Sequence, residues 1–201
     1  MSTISRWMVF VVVVLLTVSV AAQRGGGGGR GTDRPLNRTS YDSTDYGIRF
    51  PVPADMDLYT PDEPGMYTRV FTPGRIVFIV KPQHIEESIG IKIAENVTEA
   101  DLASYKTAVE TNPPQAKMPG FVKIGVAGIT IGKDGDRKAL NFVYTATQES
   151  ATQEKMEMTF RQVVFLHKGR GFTITCASQV KHFEKVNKET FDKFLSTIEL
   201  R

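Results

Sequence analysis

The chain has 201 residues and a formal net charge of +3 at pH 7, with 25 Lys and Arg against 22 Asp and Glu. So small an excess excludes the strongly basic, clustered face that DNA or RNA binding demands. The single cysteine, Cys176, excludes an internal disulfide, so a folded domain here must stabilise itself by core burial; about 160 residues bury close to 70% of the unfolded surface, which suffices.

The N-terminus carries a short basic region, with Arg6 and Trp7, followed by an apolar stretch from Met8 to Val20 and the small pair Ala21 and Ala22. This three-part pattern predicts a secretory signal peptide over residues 1–22. Val20 and Ala22 suit the two small-residue pockets of a signal peptidase, placing the cut between Ala22 and Gln23. The alternative is an uncleaved anchor, for which the apolar stretch falls short of the roughly 20 residues that span a bilayer. An exported product, periplasmic or extracellular, is the expectation, and cleavage leaves a net charge of +2 because Arg6 departs with no acid.

Gln23 and Arg24 lead into Gly25–Gly29 and then a polar run to Ser40. With almost no apolar side chain, residues 23–40 cannot offset their ordering entropy by burial and are expected to form a flexible linker spanning roughly 23 Å root-mean-square. The asparagines of Asn37-Arg38-Thr39 and Asn96-Val97-Thr98 match a glycosylation acceptor pattern that matters only in a eukaryotic secretory route.

The folded domain is expected over residues 41–201, where hydrophobic alternation begins. Tyr46, Ile48, Phe50 and Val52 share one face of an entering strand that Pro51 and Pro53 close. Met66–Phe71 and Arg75–Val80 flank the turn signal Thr72-Pro73-Gly74 and predict a hairpin. Ser88–Ala94 predicts another strand. Thr98, with Asp101 three residues on, predicts a helix cap, and Leu102, Tyr105 and Val109 place a helix over about 99–111, ended by Asn112-Pro113-Pro114.

Strands are then expected around Phe121–Ala127 and Ile129–Ile131, with the Asp134-Gly135 pair suiting a tight hairpin turn. Arg137–Ala146, Met156–Leu166 and a strand carrying Phe172, Ile174 and Cys176 predict an antiparallel meander, with Gln162 the one polar residue on its strand's apolar face. Phe191, Phe194, Leu195 and Ile198 place a final amphipathic helix, starting between Phe183 and Lys188. Helices set apart from a run of antiparallel strands predict an α+β domain, a central antiparallel β-sheet flanked by helices.

Tyr46-Gly-Ile-Arg-Phe-Pro-Val-Pro53, Gly128-Ile-Thr-Ile-Gly132, Lys168-Gly-Arg-Gly-Phe-Thr-Ile-Thr-Cys-Ala177 and Phe191-Asp-Lys-Phe-Leu-Ser-Thr-Ile-Glu-Leu200 together resemble the PsbP-like superfamily, which includes the DcrB-type exported bacterial proteins. The resemblance spans most of residues 41–201 and implies an α/β/α sandwich in a single domain. It also implies a mostly non-catalytic role, since members dock on membrane complexes in photosynthetic organisms or, in a distant nuclear relative, on a small GTPase. No family site residue carries over onto this chain.

The remaining chemistry is sparse. His84 and Glu86 would point the same way on an extended chain, but two ligands do not make a metal site, and a solvated loop is expected. His167, in a basic glycine turn, and His182, at or before the last helix, are expected at the surface without a catalytic role. Asp134 and Asp136 lack the further acids of a calcium loop and belong to a hairpin turn. Asp55, Asp57, Asp62 and Glu63 form an acidic loop expected to be solvated, and Cys176 is expected to be a buried hydrophobe.

No catalytic, cofactor-binding or metal residue is assigned, and the expected function is an exported binding or docking module of the cell envelope. Its expected partner is an envelope protein or a small ligand, with no nucleic acid and no membrane contact beyond an uncleaved signal. The alternatives are a metal-dependent envelope enzyme built on His84, Glu86 and the acidic loop, and a carrier of a small hydrophobic ligand.

Overall fold

The computed structural model describes residues 39–61, 73–82, 84–149 and 154–201. The signal peptide, almost all of the linker, Met66–Phe71, Asp62, Glu63 and Asn37 lie outside these residues. Seven antiparallel strands form the main sheet: β3 (Asp57–Tyr59), β4 (Arg75–Lys81), β5 (His84–Glu95), β6 (Val122–Ile131), β7 (Arg137–Glu149), β8 (Lys155–His167) and β9 (Arg170–Gln179), in the order β3-β4-β5-β9-β8-β7-β6. The expected meander β7-β8-β9 is present. β5 closes onto β9, so the chain's two halves share one ladder.

One face of this sheet is covered by helix α1 (Glu99–Thr111), which buries Tyr105 and Val109 against Phe142, Tyr144, Met158 and Phe160. The opposite face is covered by α2 (Val180–Val186), a π-turn (Asn187–Phe191) and α3 (Asp192–Ser196), together with a small second sheet of β1 (Ser40–Ser43), β2 (Ile48–Pro51) and β10 (Glu199–Leu200) in the order β1-β2-β10. Ile48 and Phe50 of β2 join Phe165, Phe172, Phe191 and Phe194 in that layer. The fold is therefore an α+β sandwich, as the hydrophobic pattern predicts, and each fully buried Phe or Ile stabilises it by about 1.5–3 kcal/mol.

Several boundaries differ from expectation for identifiable reasons. Ser40 is paired with Pro51, so the small sheet reaches into the predicted linker; it supplies backbone partners that a polar stretch alone does not advertise. The stretches expected at Phe121–Ala127 and Ile129–Ile131 form one strand, Val122–Ile131, because Gly128 keeps its pairing with Leu140. The last helical segment starts at Val180, directly after β9, earlier than its apolar spacing suggests.

Local chemistry fixes several junctions. Thr98 caps α1 reciprocally: its hydroxyl oxygen accepts from the Asp101 backbone N–H at 3.3 Å, and the Asp101 carboxylate accepts from the Thr98 N–H at 2.9 Å. At the other end of the domain, the Arg201 backbone N–H donates to the Gly47 carbonyl at 2.9 Å, and a Cβ on Gly47, whose φ is +64°, would stand 2.8 Å from the Arg201 oxygen. Only glycine fits that close approach.

Thr98→Ala removes from an exposed cap the hydroxyl that accepts from the Asp101 N–H and donates to its carboxylate, while the Thr98 backbone N–H bond to that carboxylate stays. It is expected to lower unfolding free energy by about 1 kcal/mol in urea titration with an unchanged slope.

The buried tyrosines impose a pH dependence. Burial pushes the Tyr105 hydroxyl up to about 12, against a lowering hydrogen bond with Gln115, and pushes Tyr144 up as well. Folded-state values above the unfolded value of 10.0 mean that this contribution is whole below pH 10 and is lost as pH climbs toward the folded values. Tyr105→Phe should flatten part of that alkaline loss, measured by urea unfolding at a series of pH values.

Candidate functional site

A cleft of about 830 Å³ lies between α3 and the β6–β7 hairpin. Ile129, Ile131, Ala139 and Leu195 give it an apolar lining, and Arg161 and Asp192 form a charged wall. Lys138 adds a second cation at its border. The turn between β6 and β7 is fastened to the end of α3: the Gly132 N–H donates to the Leu195 carbonyl at 3.0 Å and the Lys133 N–H to the Ile198 carbonyl at 2.9 Å. The cleft therefore sits between two anchored elements.

Arg161 projects from β8 and is held on three sides. Its Nε donates to Asn141 Oδ1 at 2.8 Å, and its Nη1 donates to Asn187 Oδ1 at 2.7 Å and to Asp192 Oδ1 at 2.5 Å. Asn187 and Asp192 are five residues apart, and on a regular α-helix they would stand about 140° apart around the axis. The π-turn between them, in which the Asp192 N–H bonds the Asn187 carbonyl, brings both oxygens to one guanidinium. The charge is fixed and neutralised, which suits a positioning or binding wall better than proton transfer.

On the other face of the sheet, a buried polar row crosses the strands. Gln162 Oε1 accepts from Tyr105 Oη at 3.2 Å and from Gln115 Nε2 at 2.9 Å, while Gln162 Nε2 faces Thr175 Oγ1 at 3.5 Å. Gln162, the polar exception within an apolar strand, is thus the residue that orients α1 and the Pro114–Lys117 turn on the sheet. Further along the same face Arg75, only 5% exposed, lies over the Phe78 ring at 5.9 Å and is directly opposite Lys92 in the β4–β5 register. Burial lowers the Arg75 guanidinium to about 10, and burial together with Arg75 lowers Lys92.

His84 belongs to β5 and not to a loop; its ring is 54% exposed, and Nδ1 stands 3.6 Å from Glu86 Oε1, so the two do share a side as extended geometry requires. Gln179 Nε2 donates to the same Glu86 oxygen at 3.3 Å. Among the described residues no group of three or more His, Cys, Asp or Glu side chains is arranged to hold a metal ion. Asp55 pairs with Lys81 at 3.0 Å, and Asp57 lies within β3 with its carboxyl raised by burial.

His167 corrects the expectation of a surface histidine. It ends β8 at 8% exposure, and its Nε2 is 2.8 Å from the Arg201 carbonyl oxygen, which makes that nitrogen the donor. The small second sheet covers this end of β8, which a glycine turn alone does not reveal. His182 lies exposed in the first turn of α2, and Asp134 and Asp136 sit exposed in the β6–β7 turn. Cys176 is fully buried, and burial pushes its thiol up to about 12.

Sequence patterning did not bring Arg161, Asn187 and Asp192 together. A lone cation in the apolar run of β8 was the available signal, but its partners lie 26 and 31 residues downstream.

Solved structures provide the comparison. Cyanobacterial PsbP (CyanoP) from Synechocystis superposes with a TM-score of 0.57 at 17% identity, covering 89% of this chain and 99% of that one. The fold is PsbP-like. A Bacteroides thetaiotaomicron protein superposes with a TM-score of 0.54 at 11% identity, over 83% of this chain and 49% of its own length. No protein-family model and no curated protein sequence matches the chain. At these identities the PsbP-like likeness establishes architecture, and function must come from the site itself.

Cys176 provides a check on the PsbP-like packing. A thiol-specific reagent is expected to leave it unmodified in the native protein and to label one equivalent per chain after denaturation. Labelling of native protein at the denatured rate would contradict the burial described.

Proposed function

We propose that this chain is an exported, non-catalytic binding module of the cell envelope and that the cleft beside α3 receives an apolar group from its partner. The observation that carries this is the cleft itself, within the volume range of ligand sites, with an apolar lining and a charged wall already locked in place. The N-terminal export pattern and the PsbP-like fold support the location and the binding role. No helix among the described residues is long and apolar enough to cross a membrane.

Arg161 holds its guanidinium against two asparagine oxygens and a carboxylate, which gives the cleft wall directional polar contacts. Lys138 provides an attraction for an acidic group at the border. A partner side chain or a small hydrophobic molecule carrying a carboxylate satisfies both features.

The test compares wild-type protein with Ser196→Trp, which places a bulky ring at the cleft from an exposed position on α3. Protein recovered from its own envelope fraction is measured by native mass spectrometry and by cross-linking. A bound mass or defined cross-linked partner on the wild type, reduced at least about tenfold in the variant, is expected. A wild type carrying neither, or a variant carrying the same load, would overturn the proposal.

A further inference from the structure

β6 is an outermost strand of the main sheet: it pairs with β7 on one side, and no strand lies on its other side among the described residues. Ten residues long, it offers a row of backbone donors and acceptors that another strand can complete. Two of the three exposed large hydrophobics among the described residues lie on it, Val122 at 59% and Ile124 at 60% exposure. Opposite that bulk is open space, because a Cβ placed on Gly125 or Gly128 would meet nothing within 4 Å. A long edge with apolar knobs at one end and empty glycine seats in its middle requires an occupant of matching shape.

The strand matches itself. In an antiparallel pair of β6 strands centred on Val126, Ile124 of one copy stands opposite Gly128 of the other, Gly125 opposite Ala127, and Val126 opposite Val126. A two-fold axis perpendicular to the sheet requires such a register, because only then do both copies keep the same face toward their α1 layers. The register shift between Lys123 and Gly125 leaves Ile124 without a partner on β7 and exposed, two residues ahead of Val126 and four ahead of the empty glycine seat at Gly128. Lys123 is the one charged residue of β6 and is drawn away to the Glu110 carbonyl at 2.6 Å, so no like charges face each other in the central ladder. A foreign strand would need its own alternation of large and absent side chains to do as well.

We propose that two copies of this chain associate through antiparallel β6–β6 pairing centred on Val126, joining their main sheets into one. The Ile124–Gly128 contact supplies the apolar complementarity, and the backbone ladder supplies the register. The pairing preserves sheet faces, so both clefts open on the same side of the joined sheet; it does not depend on what fills them. An interface of this extent falls below the size of stable assemblies, and a weak, reversible dimer is the consequence, half-associated near about 100 µM.

Sedimentation velocity of the exported chain over a dilution series tests this. The expected result is a monomer–dimer equilibrium that Ile124→Lys weakens at least about tenfold while thermal unfolding remains as in the wild type, since Ile124 is exposed. Register is read by oxidative cross-linking: Val126→Cys should cross-link readily, while Thr130→Cys should not, its two copies lying about 27 Å apart in the proposed pairing. The buried Cys176 does not compete. A wild type that remains monomeric at about 1 mM, a dimer indifferent to Ile124→Lys, or cross-linking at 130 and not at 126 would each overturn the proposal. Loss of partner from the Ser196→Trp cleft variant has no bearing on this outcome, so the two proposals fail separately.

Discussion

β8 sends Met158, Phe160 and Val164 toward α1 and Val163 and Phe165 toward the opposite layer, and all five are buried to within 1%. A strand that is apolar on both faces cannot lie at a surface, so two covering layers are obligatory and the sheet must run through the middle of the domain. β9 repeats the constraint with Phe172, Ile174 and Cys176 on one side and Ala177 on the other. Aromatic pairs reinforce each layer separately: Phe165 stacks on Phe172 at 5.0 Å, and Tyr144 on Phe160 at 5.1 Å. The two stacks share β8, one joining it to β7 beneath α1 and the other joining it to β9 beneath the α2–α3 layer.

Cover is the limiting resource. Seven strands at about 4.8 Å spacing extend roughly 29 Å across, whereas a single helix with its side chains shields about two strands. On the α3 side the small β1-β2-β10 sheet extends the cover over β4 and β5, where Val77, Ile79, Ile89 and Ile91 are fully buried. The shortfall appears at the other margin, where α3 ends before β6. The cleft and the open edge therefore have one geometric origin: the place where the sheet is wider than its cover.

The main elements were legible because their patterns are local. α1 was announced by Thr98, Asp101 and the spacing of Tyr105 and Val109, and the β7–β9 meander by alternation interrupted at glycine turns. What escaped depends on contacts far apart in the chain. The small sheet joins Ser40 to Pro51 and Arg49 to Glu199, and a two-residue strand such as β10 leaves no periodicity to detect. His167 looked solvent-exposed because the covering residue, Arg201, lies 34 positions away. The cleft's charged wall was hidden for the same reason, and because a π-turn breaks the helical spacing by which side chains are normally assigned to one face.

That extra residue in the turn Asn187–Phe191 has a bearing on how the chain tolerates change. Removing one residue there would restore an uninterrupted α-helix with Asn187 and Asp192 four residues apart, about 40° around the axis, so everything beyond it keeps its face. Phe194, Leu195 and Ile198 would stay in the interior, because the wide turn is what absorbs the additional residue. The segment can therefore shed that one residue and keep its apolar face, whereas an insertion that no wide turn absorbs would rotate the face by about 100°.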